Sequence, residues 1–227
     1  MAKFVKPKVI EEILRIGLVP VFYNNDIKTS EKIVKACVEG GATIVEFTNR
    51  GDAAFGVFSE LITWSQKELP DVIVGIGTIL DPNTADMYLN TGANFIVGPI
   101  YNPDVAKLCN RKKVAYIPGC MTPSEISAAE KTGADIIKVF PGSTVGPEFI
   151  KAIRGPCPRL RLMPSGGVEV NQQNISTWIK AGASALNIGS NLIKKDLVKA
   201  GDFNGIKKLV EQSIGWIKEA REATVSH

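Results

Sequence analysis

Short apolar runs alternate with amphipathic stretches along the whole chain, and this alternation restricts the possible folds more than any other feature. Each run is four to six residues long, which suits a strand buried on both faces of a parallel sheet. Eight such runs occur, at residues 18–23, 43–48, 72–76, 94–97, 114–118, 135–140, 160–163 and 185–188. Helical patterns fill the gaps, for example at residues 31–39, 53–66 and 203–223.

Glycine and proline mark the boundaries between these segments. A Gly-Ala pair follows an amphipathic stretch four times, which predicts a left-handed glycine that ends each helix directly before a strand. The four glycines are Gly41, Gly92, Gly133 and Gly182. Asp81, Asn102 and Thr122 each precede a proline and predict helix N-caps, and Glu125 adds a capping box to Thr122.

Eight strand–helix units in 227 residues favour an α/β fold of the closed (β/α)₈ type, a TIM barrel, over an open doubly wound sheet. Residues 6–16 then form an N-terminal helix that caps the bottom of the barrel. No glycine-rich dinucleotide fingerprint follows the first run. No linker, charge block or low-complexity segment interrupts the chain, so we expect residues 1–227 to form a single domain.

The composition is that of a globular protein, with 44% hydrophobic and 22% charged residues. The net charge of +4 comes from dispersed lysines, which predicts no nucleic-acid partner. The sequence shows neither a signal peptide nor a stretch long enough to span a membrane, so we expect a cytoplasmic protein without a membrane partner. The four cysteines form no C-x-x-C pair, which argues against a zinc ribbon and a disulfide framework.

The chain contains one histidine, His227, and its position at the end of the sequence excludes several chemistries. It argues against a Ser-His-Asp or Cys-His enzyme, a histidine general base and a His-ligated metal site. Any chemistry therefore uses lysine, carboxylate, hydroxyl or backbone groups.

Lys138 lies in the middle of the sixth apolar run, where neither face of the strand is polar. Ile136 and Phe140 share its face. An unpaired ammonium in an apolar interior is costly, so such a lysine has a partner or a shifted pKa. The alternative is a lysine on the solvent face of an edge strand.

The second apolar run places polar residues on an inward face. Glu46, Thr48 and Arg50 share the parity of the apolar Ile44, so they point towards the interior of the predicted barrel. An arginine can hold a carboxylate with two parallel hydrogen bonds. The alternative is a structural Glu–Lys or Glu–Arg ion pair, although such pairs stabilise a protein only weakly.

Two glycine turns follow the seventh and eighth runs, where barrels of this kind bind phosphate. They are Ser165-Gly166-Gly167 and Gly189-Ser190. Glycine lets backbone N–H groups approach an anion, and a following helix N-terminus adds a positive dipole. The alternative is two tight turns without a ligand.

An inward lysine, an inward carboxylate, an arginine and a phosphate-binding turn together indicate imine chemistry. A desolvated lysine with a lowered pKa can attack a ketone and form a Schiff base, whose iminium is an electron sink. A nearby glutamate can then move protons.

These residues lie in motifs that resemble the 2-keto-3-deoxy-6-phosphogluconate (KDPG)/4-hydroxy-2-oxoglutarate (KHG) aldolase family, class I enzymes on a (β/α)₈ barrel. The matching stretches run in the family's order over essentially the whole chain. They are residues 45–50 (VEFTNR), 75–78 (GIGT), 117–125 (IPGCMTPSE), 137–141 (IKVFP) and 164–168 (PSGGV). The resemblance implies a lyase that cleaves a 2-keto-3-deoxy-6-phospho sugar acid into pyruvate and glyceraldehyde 3-phosphate.

The resemblance also implies roles for single residues. Lys138 would form the Schiff base, and Glu46 would be the general acid and base. The residues implied for substrate binding are Arg50 and Thr78 at the pyruvate carboxylate, Pro99 and Phe140 at the pocket wall, and Ser165, Gly166, Gly167, Gly189 and Ser190 near the phosphate. The family is generally trimeric and metal-independent, which implies a homotrimer that needs no cofactor.

Several positions depart from the family pattern. Gly51 replaces the threonine that usually follows the arginine, Ser165 replaces a threonine, and Gly98 stands where serine is frequent before Pro99. Ile188 stands where many members have a second glycine. The departures near Gly51 and Pro99 border the aldehyde portion of the substrate, so KHG and the galactonate epimer of KDPG are alternatives. A more distant alternative is a non-catalytic barrel that binds sugar phosphates.

Overall fold

The computed structural model describes residues 2–225, so His227 lies outside the described residues. Strands and helices alternate through this part of the chain. The strands are β1 (Leu18–Phe22), β2 (Ile44–Thr48), β3 (Ile73–Gly77), β4 (Phe95–Val97), β5 (Ala115–Ile117), β6 (Gly119–Cys120), β7 (Ile137–Val139), β8 (Leu162–Pro164) and β9 (Leu186–Ile188). The helices are α1 (Lys6–Ile16), α2 (Ile27–Glu39), α3 (Ala54–Glu68), α4 (Pro82–Thr91), α5 (Pro103–Lys112), α6 (Pro123–Lys131), α7 (Gly142–Arg154), α8 (Gln172–Lys180), α9 (Lys195–Ala200) and α10 (Phe203–Val225).

The protein has a mixed α/β fold in which parallel strands form a curled half-barrel. Six strands pair in the order β5-β4-β3-β2-β1-β9, and three more pair in the order β6-β7-β8. Ser165, which follows β8, forms an isolated parallel bridge with Asn187 in β9. Both faces of the strands are buried, as the continuous apolar runs predict.

The fifth predicted run, residues 114–118, differs from the structure, in which β5 ends at Ile117 and a further strand, β6, begins directly after Pro118. Proline has no backbone N–H to donate, so it interrupts a ladder of hydrogen bonds. The residues before it pair with β4, and the residues after it pair with β7. The Pro118 carbonyl still accepts a hydrogen bond of 2.9 Å from the Lys138 backbone N–H.

The glycine and N-cap signals at the helix ends are confirmed. The glycines of the four Gly-Ala pairs all have positive φ angles, directly before β2, β4, β7 and β9. The side chains of Asp81, Asn102 and Thr122 accept hydrogen bonds from backbone N–H groups in the first turns of α4, α5 and α6. Glu125 completes the capping box with Thr122.

Helix α1 has the predicted bounds and buries one face, which includes Val9 and Ile13. Its polar side chains contact residues that precede strands. The Thr43 hydroxyl donates to Glu12, and Lys6 forms an ion pair of 2.7 Å with Asp135. The helix therefore lies against the amino ends of β2 and β7.

The described residues contain neither a membrane-spanning helix nor a group of side chains suited to a metal ion. No helix between residues 2 and 225 is long and apolar enough to cross a membrane. The four cysteines are free thiols, and Cys157 is the exposed one. Among the described residues, no three Cys, His, Asp or Glu side chains form a group that could hold a metal ion.

Candidate active site

A cavity of about 620 Å³ opens at the carboxyl ends of the strands. Parallel α/β sheets bind ligands at this edge because the loops after the strands converge there. Most of the predicted substrate-binding residues line it, namely Arg50, Phe140, Ser165, Gly166, Gly167, Gly189 and Ser190. A volume of this size suits a small-molecule ligand.

Lys138 is buried at the centre of β7, with 7% of its surface exposed. Gly119 of β6 and Met163 of β8 are its partners in the sheet. Its Nζ lies 5.2 Å from the centre of the Phe140 ring. Burial lowers the pKa of Lys138 below the ordinary 10.5; the charge of Glu46 opposes this shift, and the charge of Arg50 adds to it.

Glu46 is buried on β2, with 1% of its surface exposed. Its Oε2 accepts a hydrogen bond of 2.9 Å from Asn187 Nδ2. Burial raises the pKa of Glu46, whereas Lys138, the Asn187 hydrogen bond and Arg50 lower it. Perturbed titratable groups that lie close together are typical of functional sites.

The alternative of a structural ion pair between Lys138 and Glu46 requires close contact between their charged atoms. Lys138 and Glu46 interact electrostatically, yet among residues 2–225 no carboxylate oxygen comes within 4.0 Å of Lys138 Nζ. A buried pair retained only for stability would need close contact to offset desolvation.

Gly77 makes room for the Glu46 carboxylate. A Cβ atom added at Gly77 would lie 1.7 Å from Glu46 Oε1. No side chain larger than hydrogen fits at this end of β3 while the carboxylate keeps its place. The sequence contained this glycine in the motif GIGT, but no local signal connected it with Glu46.

Arg50 follows β2 and is exposed at the cavity. Within the described part of the chain, its guanidinium has no hydrogen bond and no ion pair. The next residue, Gly51, has φ = +88°, and a Cβ atom there would lie 3.1 Å from the Tyr23 hydroxyl. Tyr23 also lines the cavity, so its phenol occupies the space beside Gly51.

Four predicted site residues, Lys138, Glu46, Thr78 and Pro99, are not among the residues that line the cavity. Lys138 and Glu46 lie behind Phe140 and Asn187, which do line it. Thr78 has φ = +65°, which is rare and strained for a β-branched residue. Strain of this kind concentrates at functional sites. The Pro99 carbonyl packs against Gly119, where an added Cβ would lie 2.3 Å from its oxygen, and Gly119 is the sheet partner of Lys138.

The turn after β8 presents free backbone donors to the cavity. Gly166 and Gly167 have φ angles of +84° and +74°, and their N–H groups have no hydrogen-bond partner among the described residues. The turn packs on the start of α7, where Gly142 N–H donates to the Ser165 carbonyl at 2.8 Å. The Ser165 hydroxyl is already used, because it donates to Asn187 Oδ1 at 2.7 Å.

Several residues that line the cavity were not predicted, among them Tyr23, Asn187, Lys195 and Lys199. Asn187 carried a readable signal, since it is a polar residue in the middle of an apolar run, like Lys138. The two lysines lie on α9 at the rim, and nothing in the sequence distinguished them from other surface lysines.

Comparison with known proteins shows the family to which the chain is similar. The family model "KDPG and KHG aldolase" matches residues 9–209. The KHG/KDPG aldolase of Escherichia coli K12 is 30% identical over 206 residues, which cover 90% of this chain and 94% of that protein. The 2-dehydro-3-deoxy-phosphogluconate aldolase of Haemophilus influenzae is 28% identical over 212 residues, which cover 93% of this chain and 97% of that protein.

A solved structure shows the same fold. The KDPG aldolase of Legionella pneumophila, with pyruvate captured as a covalent carbinolamine, has a TM-score of 0.80 at 22% identity. The match covers 89% of this chain and 96% of that one. Because the family model spans most of the sequence and the fold agrees, this chain belongs to the KDPG and KHG aldolase family.

Proposed function

We propose that the protein is a class I aldolase that cleaves KDPG into pyruvate and glyceraldehyde 3-phosphate. The observation that carries this proposal is the arrangement of Lys138 and Glu46, two buried groups that interact without an ion-pair contact beside a ligand-sized cavity. The unpaired Arg50 guanidinium suits a substrate carboxylate. The open N–H groups of Gly166 and Gly167 suit a phosphate.

The first half of the reaction uses Lys138. Its lowered pKa makes the neutral amine available, and Nζ attacks the C2 ketone of the substrate. Loss of water from the carbinolamine gives an iminium, which draws electrons from the C3–C4 bond. Arg50 holds the C1 carboxylate and Phe140 bounds the pocket, since both line the cavity. The roles of Thr78 at the carboxylate and of Pro99 at the pocket wall stay predictions of the resemblance.

The second half uses Glu46. Its carboxylate takes the proton of the C4 hydroxyl, directly or through a water, as the C3–C4 bond breaks. Glyceraldehyde 3-phosphate leaves, and an enamine stays on Lys138. The enamine takes a proton at C3, and water hydrolyses the new iminium to pyruvate and the free lysine.

A second substrate is supported by relatives that are named for both KHG and KDPG. Cleavage of KHG would use the same Lys138 chemistry and release glyoxylate with pyruvate. The glycine turn after β8 would then hold no phosphate. Tyr23 lines the cavity, and Gly51 lies against its phenol and follows Arg50 in the chain, so we assign both to the part of the site that would meet the aldehyde portion.

The test is a parallel assay of KDPG, its galactonate epimer and KHG. We expect the highest kcat/KM with a phosphorylated substrate, and competitive inhibition by inorganic phosphate. Equal or better use of KHG without phosphate inhibition would favour the second substrate. No turnover of any of them, with ligand binding intact, would favour the non-catalytic barrel.

We also infer that the strands close into one (β/α)₈ barrel capped by α1, and that residues 1–227 are a single domain. Two observations support closure: β5 and β6 follow each other in the chain but belong to the two different sheets, and the Ser165–Asn187 bridge joins β8 to β9. The contacts of α1 with Thr43 and Asp135 support its place at the bottom. The buried apolar residues form one continuous core, which supports a single domain.

A homotrimer is our proposal for the assembly. Large apolar side chains are exposed on α3, on α4 and in the loops after β3, β4 and β6, and such surfaces mark interfaces. They are Phe55, Leu80, Met87, Ile100 and Met121. Light scattering should give three times the chain mass of 24.5 kDa, and a monomeric mass would contradict the proposal. The cytoplasmic location stays a prediction.

Substitution of Gly77 by alanine should reduce kcat by about 10²-fold, because a displacement of a reacting group by about 1 Å can cost this much. The new Cβ would lie 1.7 Å from Glu46 Oε1 and would push the carboxylate away. Gly215→Ala on α10, where an added Cβ meets nothing within 4 Å, is the matched control. A Gly77→Ala enzyme within threefold of the wild type would contradict the placement of Glu46.

The pH dependence of Lys138 reactivity follows from its neighbours. Because the amine reacts when neutral and burial lowers its pKa, acetic anhydride should label Lys138 with a midpoint below pH 10.5. The Arg50 charge lowers this pKa, so Arg50→Gln should move the midpoint up. Glu46 raises it, so Glu46→Gln should move the midpoint down. Mass spectrometry of the labelled peptide measures the midpoint in the wild type and in both variants. An unchanged midpoint in both variants would contradict the electrostatic effect of Arg50 and Glu46 on Lys138.

A further inference from the structure

Asn187 is a buried polar residue that the reaction described above does not use. It lies in the middle of β9, with 1% of its surface exposed, and it lines the cavity. Its neighbours in the strand, Leu186 and Ile188, are apolar. An asparagine in such a place needs hydrogen bonds for its amide, because an unsatisfied buried polar group is costly.

Three hydrogen bonds determine how the amide is oriented. Asn187 Nδ2 donates to the Val19 carbonyl at 3.2 Å and to Glu46 Oε2 at 2.9 Å, and Asn187 Oδ1 accepts from the Ser165 hydroxyl at 2.7 Å. The Val19 carbonyl can only accept, so Nδ2 must face it. Oδ1 must then face Ser165, whose single hydroxyl proton is used on Asn187 and is not available to a ligand.

The two oxygens of Glu46 are therefore not equivalent. Oε2 is held by Asn187, while Oε1 lies in the space that Gly77 leaves open. In the described part of the chain, Oε1 accepts no hydrogen bond. Oε1 can bind a proton without losing a hydrogen bond inside the protein.

We propose that Asn187 is the positioning residue of Glu46: its amide holds Oε2 so that Oε1 is the oxygen that exchanges a proton with the substrate. This inference rests on the proposed aldolase function. The proton of the C4 hydroxyl passes to Oε1 as the C3–C4 bond breaks, and Oε2 keeps its hydrogen bond throughout. Ser165 supports the arrangement because its hydroxyl orients the amide.

The hydrogen bond also keeps Glu46 ready to act as a base. Burial raises the pKa of Glu46, and a donor to its carboxylate favours the ionised form and opposes that rise. Without Asn187, Glu46 should hold its proton up to a higher pH. The acidic limb of the pH profile of kcat should therefore report on Asn187.

The experiment compares Asn187→Ala with the wild type. We expect kcat to fall about 10-fold to 100-fold, as for loss of a hydrogen bond to a charged group. KM should change less than about threefold, and the acidic limb should move up by about one pH unit. Asn187→Asp, which is close in size, should move the limb up further, because two neighbouring carboxyls share one proton. If Asn187→Ala does not fold, the Asn187→Asp and Ser165→Ala variants test the proposal instead. Ser165→Ala should move the acidic limb of the kcat profile up as well, but by less.

A double-mutant cycle separates positioning from a structural role. If Asn187 acts through Glu46, Asn187→Ala should lower kcat no further in a Glu46→Gln background. Asn191→Ala is the matched control, since this cavity residue donates to the Val168 carbonyl at 2.8 Å and not to Glu46. It should leave the acidic limb in place.

The outcomes distinguish this inference from the proposed function. A wild type without aldol cleavage and without a pyruvate adduct would overturn the aldolase proposal itself. An active wild type whose Asn187→Ala and Asn187→Asp variants keep the acidic limb would overturn only the role of Asn187. Additive effects of Asn187→Ala and Glu46→Gln would overturn it as well.

Discussion

Lys138→Met is expected to abolish aldol cleavage, with a loss in kcat of about 10⁴-fold or more, as for removal of a covalent nucleophile. Methionine has nearly the shape of the lysine stem but has no amine. Replacing a buried ammonium by an apolar group should leave the protein folded. Wild-type protein reduced with borohydride in the presence of pyruvate should gain one pyruvate-derived group on Lys138, and the variant should gain none.

An exposed lysine gives the control for this experiment. Lys67 lies at the end of α3, with 83% of its side chain exposed. Lys67→Met should keep both turnover and the adduct. An adduct on a lysine other than Lys138, or a Lys138→Met enzyme with more than a few per cent of wild-type activity, would refute the Schiff-base assignment.

Glu46→Gln is expected to lower kcat by about 10²-fold to 10⁴-fold, the range for loss of a general acid–base group. Glutamine keeps the size of the side chain and can still accept the hydrogen bond from Asn187, but it cannot take up a proton. Because Lys138 is unchanged, the variant should still form the pyruvate adduct on long incubation. Stopped-time borohydride trapping and steady-state assays measure the two effects separately.

A second buried glutamate provides the matched control. Glu12 on α1 is also buried, but the Arg15 hydrogen bond is the largest cause that lowers its pKa to about 2, and it lies away from the cavity. Its ionised form is stabilised in the folded state, so its contribution to stability is present above the unfolded pKa and is lost as the pH falls through about 2. Glu12→Gln should therefore lower the melting temperature at pH 7 and leave kcat unchanged. A Glu46→Gln enzyme with wild-type kcat would contradict the acid–base role.

Local signals in the sequence were enough for the helix caps and for the recognition of two buried charged residues. Each Gly-Ala pair follows a helix because a left-handed glycine ends it at little steric cost. Lys138 and Glu46 were recognisable because a charged residue in a short apolar strand violates the ordinary pattern of burial. The cost of burying each charge follows from the apolar residues next to it in the sequence, so both residues could be identified without knowing which groups they contact.

Pairing across the sheet could not be read in this way. The break at Pro118 places β5 and β6, which follow each other in the chain, in different sheets, because different neighbouring strands supply their hydrogen bonds. Tyr23 and Gly51 are far apart in sequence, yet the phenol of one occupies the space beside the other. Such contacts depend on how the strands align in the sheet, and they cannot be predicted from composition or local pattern.

The sequence by itself determined the alternation of strands and helices, the inward lysine and glutamate, and the glycine turns at the carboxyl ends of the strands. These follow from local conformational preference and from the cost of burying charge. Only the tertiary structure decided which groups surround Glu46. Gly77 gives the carboxylate its space and Asn187 holds one of its oxygens, because β3 and β9 bring them together from distant parts of the chain.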